Sequence, residues 1–507
     1  MRIFLYANDK QRFEHIRKKS LQFFNSSGSV VQFDFQDPGD NFLVIDNDDV
    51  NNFAGVSLNN ISNVYLYDEN QFFSVSEDQK KLITLRTQYI KDELWDAARN
   101  INDVLLNTDF LLKRTKPAGF PDYLQIETTN KCNAECIMCS HYYIKNRSSI
   151  YLSNTIIEKL SHILPYARVI AINGGGEPFI NPYISSQIEE FVRFGAKITT
   201  KTNLSVINDN LISQINSYFI NIQLSCDAAS KTTYEQIRNN LSFDIFVNNL
   251  KLLQERCPDI DRFFASVIMR QNITELPDIV RFAGQSGIKL ISFINLNPDI
   301  IIDNNHDNML NYPNVLSYYL DKAKETGRHL GIKIIAPAYK NSSLTHYFNY
   351  EMELITSLPM FKSKSEIIKM LNFGKILIPL MSNNNSPAEE PKKSSIKCTG
   401  ICDWLLRRAY INSRGDVNAC CINQTFQCGN VEKSGSFEDV WQSDYYQKIR
   451  GIFYSGYLPE YCLGCGLIEG GSFKYLKIDI TQDFYYEPEY MKMRRQNILN
   501  LIKNQTN

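Results

Sequence analysis

The stretch YLQIETTNKCNAECIMCS, residues 123–140, decides how the rest of the chain is read. A short strand, Tyr123 to Glu127, runs into a polar turn and then into Cys132, Cys136 and Cys139, a C-x3-C-x2-C spacing. Three thiolates on one tight loop can cap one face of a metal cluster and leave one metal site open. A closed structural zinc site needs a fourth Cys or His ligand, and His141 is near enough in sequence to supply it. Iron–sulfur clusters are normally held by four thiolates, so three on one loop imply an iron kept free for another ligand. Spacing alone leaves both readings open.

Composition narrows the field. A chain of 507 residues has room for two to four domains. Its 43% hydrophobic and 21% charged content is that of a globular protein. A net charge of -1 gives no electrostatic case for nucleic acid or an anionic membrane. No apolar run approaches the roughly 18 residues of a membrane span, and the N-terminal apolar run is broken at Asp9 and Lys10, unlike a secretory signal. The expectation is a soluble, cytoplasmic protein that binds neither nucleic acid nor membrane. In such a chain 12 cysteines point to metal or catalysis rather than disulfides. Besides the first trio, seven lie between Cys398 and Cys465, while Cys226 and Cys257 stand alone and read as structural.

Along the chain, Arg2 to Tyr6, Val30 to Phe35, Phe42 to Ile45 and Val64 to Tyr67 read as strands, and Gln11 to Phe24 as a helix. A helical stretch from Gln79 to Leu112 leads to Lys116-Pro-Ala-Gly119, a linker signal. From Tyr123 onward strands beginning near Tyr123, Val169, Ala196, Asn221, Phe263 and Leu290 alternate with helices. One helix should end at Gly195 in a left-handed conformation, and another should be capped by Thr274. Six strands with helices between them predict a parallel sheet closed or partly closed into a TIM-like barrel. Its active site belongs at the carboxyl ends of the strands, where the cysteine loop lies. Gly174-Gly175-Gly176-Glu177-Pro178 ends the second strand, and consecutive glycines let a ligand approach the backbone closely.

Three motifs now carry a resemblance: C-x3-C-x2-C at Cys132, Cys136 and Cys139, GGEP at Gly175 to Pro178, and the strand-end pair Ser225 and Asp227. The chain resembles the radical S-adenosylmethionine (SAM) superfamily, in the branch with a C-terminal SPASM or Twitch domain. The resemblance covers Tyr123 to Leu296 and Cys402 to Cys465. It implies an α/β fold: a partial (β/α)6 radical SAM barrel at 119–338, behind a small N-terminal α/β domain at 1–118. An insertion (339–397), a cysteine-rich SPASM/Twitch domain (398–470) and a tail (471–507) follow.

The resemblance also implies roles. Cys132, Cys136 and Cys139 would hold a 4Fe-4S cluster whose fourth iron is chelated by SAM. Gly175, Gly176 and Glu177 would meet the cofactor's ammonium group, Ser225 and Asp227 its ribose, and Met138 its adenine. Arg238, in the Tyr234-Glu-Gln-Ile-Arg helix of a helical region from Thr232 to Gln254, is a candidate for the cofactor carboxylate or else a surface helix arginine. Thr202 and Asn203 would line the cavity. Cys402, Cys420, Cys462 and Cys465 match a layout that holds one auxiliary 4Fe-4S cluster, the alternative being zinc. Cys398, Cys421 and Cys428 are left unassigned.

A SAM-derived radical that takes a hydrogen atom from a bound substrate is the function these motifs imply. The leading substrate expectation is a small molecule such as a sugar or aminocyclitol. The alternatives are a ribosomally made peptide, or a non-catalytic iron–sulfur or zinc protein. An electron donor such as flavodoxin or ferredoxin is required.

Overall fold

The computed structural model describes residues 2–6, 32–33, 42–46, 63–68, 71–74, 79–139, 149–296, 307–337, 345–357, 391–421, 427–462 and 476–478. Strands β1 (Arg2–Tyr6), β2 (Gln32–Phe33), β3 (Phe42–Asp46), β4 (Asn63–Asp68) and β5 (Gln71–Ser74) form an N-terminal sheet of order β2-β1-β3-β4-β5. Only β5 runs antiparallel to its neighbour. The helix expected over 11–24 lies outside the described residues.

Two helices follow, Gln79–Lys91 and Trp95–Leu111, where the sequence reads as one helical stretch. The second packs on the barrel: Arg99 donates to the Ala167 carbonyl at 3.0 Å, and the Trp95 ring meets Phe194 edge-on at 5.1 Å. The stretch expected as a linker is pinned from both sides. Asp109 accepts from the backbone N–H groups of Ala118 and Gly119 at 2.8 and 2.9 Å. From the C-terminal region, the Trp441 indole donates to the Gly119 carbonyl at 3.1 Å. Backbone polar groups of a buried crossing need such partners.

The main sheet is built from β6 (Tyr123–Ile126), β8 (Val169–Ala171), β9 (Lys197–Thr202), β10 (Phe219–Ser225), β12 (Asp261–Ile268), β13 (Leu290–Asn295) and β14 (Lys333–Ile335), adjacent in that order and all parallel. Two short strands, β7 (Glu135–Cys136) and β11 (Arg238–Asn239), form a separate ladder. The six expected strands are present and a seventh, β14, continues the series. Ile170, Ile198, Ile222, Leu224, Phe264 and Ile291 are buried on the face that the connecting helices cover. The alternating positions Gln125, Thr199, Lys201, Gln223 and Ser225 are less buried and polar, giving a wettable concave face.

Most helix ends follow their signals: Ser153, Asn208, Ser230 and Ser242 cap with their side chains, and Gly195 has φ +84°. Thr274 does not cap. It lies inside the single 3-10 turn Ile273–Glu275, and the helix proper, Leu276–Gln285, begins with Pro277 in its first turn.

Part of the expected insertion is ordered onto the barrel. Helix Thr345–Ser357 brings Glu351 to accept from the N–H groups of Asn314 and Val315, both at 3.0 Å, at the start of helix Pro313–Leu330. Its last residues already belong to β15 (Lys393–Gly400).

In the C-terminal region, β16 (Arg408–Ile411), β17 (Asp416–Asn418) and β18 (Gln427–Asn430) join the main sheet, while β19 (Tyr457–Pro459) and β20 (Leu476–Ile478) flank β15. β16 pairs in parallel with β6, Tyr410 opposite Gln125, and extends the sheet to ten strands. Among the described residues no helix is long and apolar enough to cross a membrane.

Candidate active site

The cysteine loop leaves the end of β6 and is tied down at both ends. The Thr129 hydroxyl donates to the Ile150 carbonyl at 2.9 Å and accepts from the Lys131 N–H at 3.0 Å. Farther on, β7 pairs antiparallel with β11, Cys136 opposite Arg238, and the Ile137 N–H donates to the Ile237 carbonyl at 2.9 Å. A turn from the Cys136 carbonyl to the Cys139 N–H, 3.0 Å, brings the last two cysteines to one side. Cys132 is exposed, Cys139 half-buried and Cys136 buried. Burial pushes the Cys136 thiol up to about 12; Arg238 pulls it down, and Cys139, Asp227 and Cys132 push it up. The three thiols therefore lie within one another's electrostatic reach.

Three thiols on one loop are a donor set that an iron–sulfur cluster with one open iron can take. Among the described residues no three His, Cys, Asp or Glu groups converge to hold one metal ion. Thiolates sharing one zinc at ~2.3 Å would stand about 4 Å apart, whereas cluster thiolates each bind a different iron. His141 lies outside the described residues.

The glycine turn after β8 presses directly on this loop. A Cβ on Gly174 would meet the Glu127 side chain at 2.5 Å. The Gly175 N–H donates to Glu127 Oε2 at 2.5 Å, and the Glu177 N–H donates to the Lys131 carbonyl at 2.8 Å. The Glu177 carboxylate is buried and accepts on both oxygens. Oε1 accepts from the Thr202 hydroxyl (2.6 Å) and the Phe179 N–H (3.2 Å), and Oε2 from the Asn203 N–H (2.7 Å). Burial raises its pKa, against these three donors and Arg238, which lower it. Thr202 and Asn203, expected as cavity lining, thus anchor Glu177, while the Asn203 amide reaches Asn133 in the cysteine loop at 3.1 Å.

On the opposite side Asp227 and Arg238 pair with each other. Arg238 Nη2 stands 2.6 Å from Asp227 Oδ2, and Arg238 Nη1 donates to the Cys136 sulfur at 3.7 Å. Asp227 Oδ1 accepts from the Val267 N–H at 2.7 Å. Arg238 is neither helical nor on the surface. It caps helix Lys231–Ile237, enters β11 and is only 7% exposed. Burial lowers its pKa, but Asp227 and Cys136 outweigh that and hold it above the usual value. Ser225 ends β10, half-buried, and Met138 packs against Ile137, Ile237, Met269 and Leu296.

One residue of this neighbourhood escaped the sequence reading. Glu127, buried just beyond β6, accepts from Gly175, from the Tyr410 hydroxyl (3.1 Å), and from the Ser413 hydroxyl (2.7 Å) and N–H (3.3 Å). Its one signal is a carboxylate ending an otherwise apolar strand, and its partners stand 48, 283 and 286 positions away.

Cys402, Cys420 and Cys462 are all half-buried and pack against the main core, at the start of helix Asp403–Leu406, just past β17 and beyond β19. Cys465 lies outside the described residues. Cys398 and Cys428 are buried, and burial pushes the Cys398 thiol up to about 12. Beside Cys428 the buried Arg450 lies over the rings of Trp441 and Tyr446, 4.2 and 4.6 Å from their centres, and burial lowers its pKa to about 10.

Comparison with known proteins places the cysteine loop and the C-terminal cysteines within two family matches. Residues 126–283 match the family model of the radical SAM superfamily, and residues 402–466 that of SPASM, an iron–sulfur cluster-binding domain. The chain is a radical SAM enzyme with a C-terminal SPASM domain, and its cofactors are 4Fe-4S clusters and SAM. It is 20% identical over 364 residues to the tungsten-containing aldehyde ferredoxin oxidoreductase cofactor-modifying protein of Pyrococcus furiosus, covering 69% of this chain and 89% of that one. It is 26% identical over 172 residues to the mycofactocin maturase MftC of Mycolicibacterium smegmatis, covering 34% and 43%. The crystal structure of Streptococcus suis SuiB bound to precursor peptide SuiA aligns with TM-score 0.44 and 17% identity, covering 71% of each chain. The non-catalytic reading is thereby set aside.

Proposed function

We propose that Cys132, Cys136 and Cys139 hold the SAM-binding cluster and that the enzyme modifies a peptide made on the ribosome. When bound, reduced cluster and SAM supply a 5′-deoxyadenosyl radical that takes a hydrogen atom from the substrate. The observation that carries the assignment is one short loop that holds three thiols within one another's electrostatic reach and has the backbone of the glycine turn packed against it. Glu177 fixes that turn to the end of β9, and Glu127 fixes it to β16. Gly175 and Gly176 would offer backbone carbonyls to the cofactor's ammonium group, Ser225 lies at the strand end suited to its ribose, and Met138 would offer an apolar face for adenine. The polar concave face excludes no water by itself, so substrate binding has to exclude it.

Cys402, Cys420, Cys462 and Cys465 would hold one auxiliary cluster, which accepts an electron or orients substrate. A flavodoxin or ferredoxin would deliver the electron for SAM cleavage. Of the substrate classes, the peptide is favoured by the likeness to a mycofactocin maturase, which covers 34% of this chain. The sugar or aminocyclitol expectation draws no comparable support. The domain at 1–118 would then dock the peptide.

Anaerobic reconstitution with dithionite tests this reading. It is expected to give about eight irons per chain and 5′-deoxyadenosine. A precursor peptide encoded beside the gene should change mass on turnover; turnover of sugars but not of that peptide would reverse the substrate choice.

A further inference from the structure

We propose that Arg238 is a positioning residue for the cluster itself: its guanidinium holds the Cys136 sulfur and raises the reduction potential, while Asp227 opposes it. The proposal rests on the cluster assignment above and departs from the expectation that Arg238 meets the cofactor carboxylate and Asp227 the ribose.

The geometry commits both residues. The planar guanidinium presents Nη2 to Asp227 at 2.6 Å and Nη1 to Cys136 at 3.7 Å. Such a fork has a fixed shape, so anchoring one nitrogen aims the other. Asp227 is itself fixed, with Oδ1 on the Val267 N–H at 2.7 Å and its carbonyl on the Asn272 amide at 2.7 Å. The backbone repeats the message, since β11 lays Arg238 directly opposite Cys136. Asp227 is 0% and Arg238 7% exposed. A buried ion pair of this kind is weak evidence for stability, because desolvating both charges offsets their attraction. Its use lies in the third contact.

When one electron enters a cluster the site gains one negative charge, part of it on the thiolate sulfurs. A donor N–H and a cation beside one sulfur stabilise the reduced form more than the oxidised one, and hydrogen bonds to sulfur are among the recognised determinants of cluster potential. The burial of both side chains leaves their field weakly screened. Asp227 cancels part of the cation's field, so the two side chains act with opposite signs.

The test is an EPR-monitored redox titration of the reconstituted full-length enzyme without SAM, following the cluster whose spectrum changes when SAM is then added. Arg238→Gln is expected to lower the midpoint. At a fixed poise the reduced-to-oxidised ratio should fall about tenfold, or about 59 mV for one electron. Asp227→Asn, which leaves the guanidinium uncompensated, is expected to shift the midpoint the other way, and Arg238→Lys to recover part of the loss. Shifts of one sign in both variants, or in neither, overturn the proposal. An unchanged midpoint in Arg238→Gln with weakened SAM binding overturns it too, in favour of a carboxylate contact. If Arg238→Gln does not fold or take up iron, the upward shift in Asp227→Asn decides, and its absence is fatal. A wild-type enzyme with no SAM-responsive cluster signal would instead refute the underlying assignment, and this proposal with it.

Discussion

Gly176 and Lys131 stand back to back: a Cβ on Gly176 would lie 2.3 Å from the Lys131 carbonyl oxygen, the atom that accepts the Glu177 N–H at 2.8 Å. The cysteine loop and the glycine turn are therefore packed backbone to backbone. Gly176→Ala has to push the loop away, because the Lys131 oxygen, the Thr129 oxygen and the Asn130 carbonyl carbon that it would meet are all backbone. Its expected outcome is an enzyme that folds but loses most of its 5′-deoxyadenosine formation, with SAM affinity down at least tenfold. Isothermal titration with SAM checks this, and normal affinity would show that the loop tolerates the shift.

Alanine at Cys132, Cys136 or Cys139 is expected to abolish SAM cleavage and remove about four irons per chain. Iron and sulfide analysis beside the dithionite assay reads both effects. Retained turnover in any of the three would contradict the ligand assignment.

Glu127 joins the glycine turn to the C-terminal hairpin through Gly175, Tyr410 and Ser413. Glu127→Gln replaces one acceptor oxygen with a donor, facing either the Gly175 N–H or the Ser413 groups. A buried donor left against another donor costs about 1–3 kcal/mol. The expected signs are a lowered Tm and faster proteolysis between barrel and hairpin. Wild-type protease resistance would remove Glu127 from its bridging role.

Asp109 sets a pH dependence. Burial raises its pKa from 3.8 to about 6, although Gly119, Arg114 and Ala118 each pull it down. Between those values the folded chain holds a proton that the unfolded chain has lost, so this contribution is present below about pH 4 and gone above about pH 6. Its size is at most about 3 kcal/mol. Asp109→Asn is expected to gain on wild type as pH rises from 4 to 6.5, in paired denaturation curves. A constant difference between the two would show that Asp109 does not titrate in this window.

How much of this was legible in the sequence depends on range. The cysteine spacing, the glycine turn and the alternation of strands from Tyr123 are local patterns, and the parallel sheet follows them closely. The ladder between Cys136 and Arg238 joins positions 102 apart, and its two-residue strands have no period to detect, so Arg238 read as helical. The anchoring of Glu177 by Thr202 and Asn203 was not legible, because these partners lie 25 and 26 positions away at the end of β9. The segment 116–119 read as a tether because proline and glycine signal a break whether or not Trp441 arrives to close it.

The pairing of β6 with β16 has a consequence for synthesis. Arg407 and Asp122, at the head of that pair, are 285 positions apart. At about 5–20 residues per second, the first strand of the barrel waits about 15–60 s on the ribosome for its outer neighbour. Throughout that interval its flank is an open template for a wrong strand, so a nascent or truncated product ending before residue 408 should be a client of chaperones rather than a working catalyst.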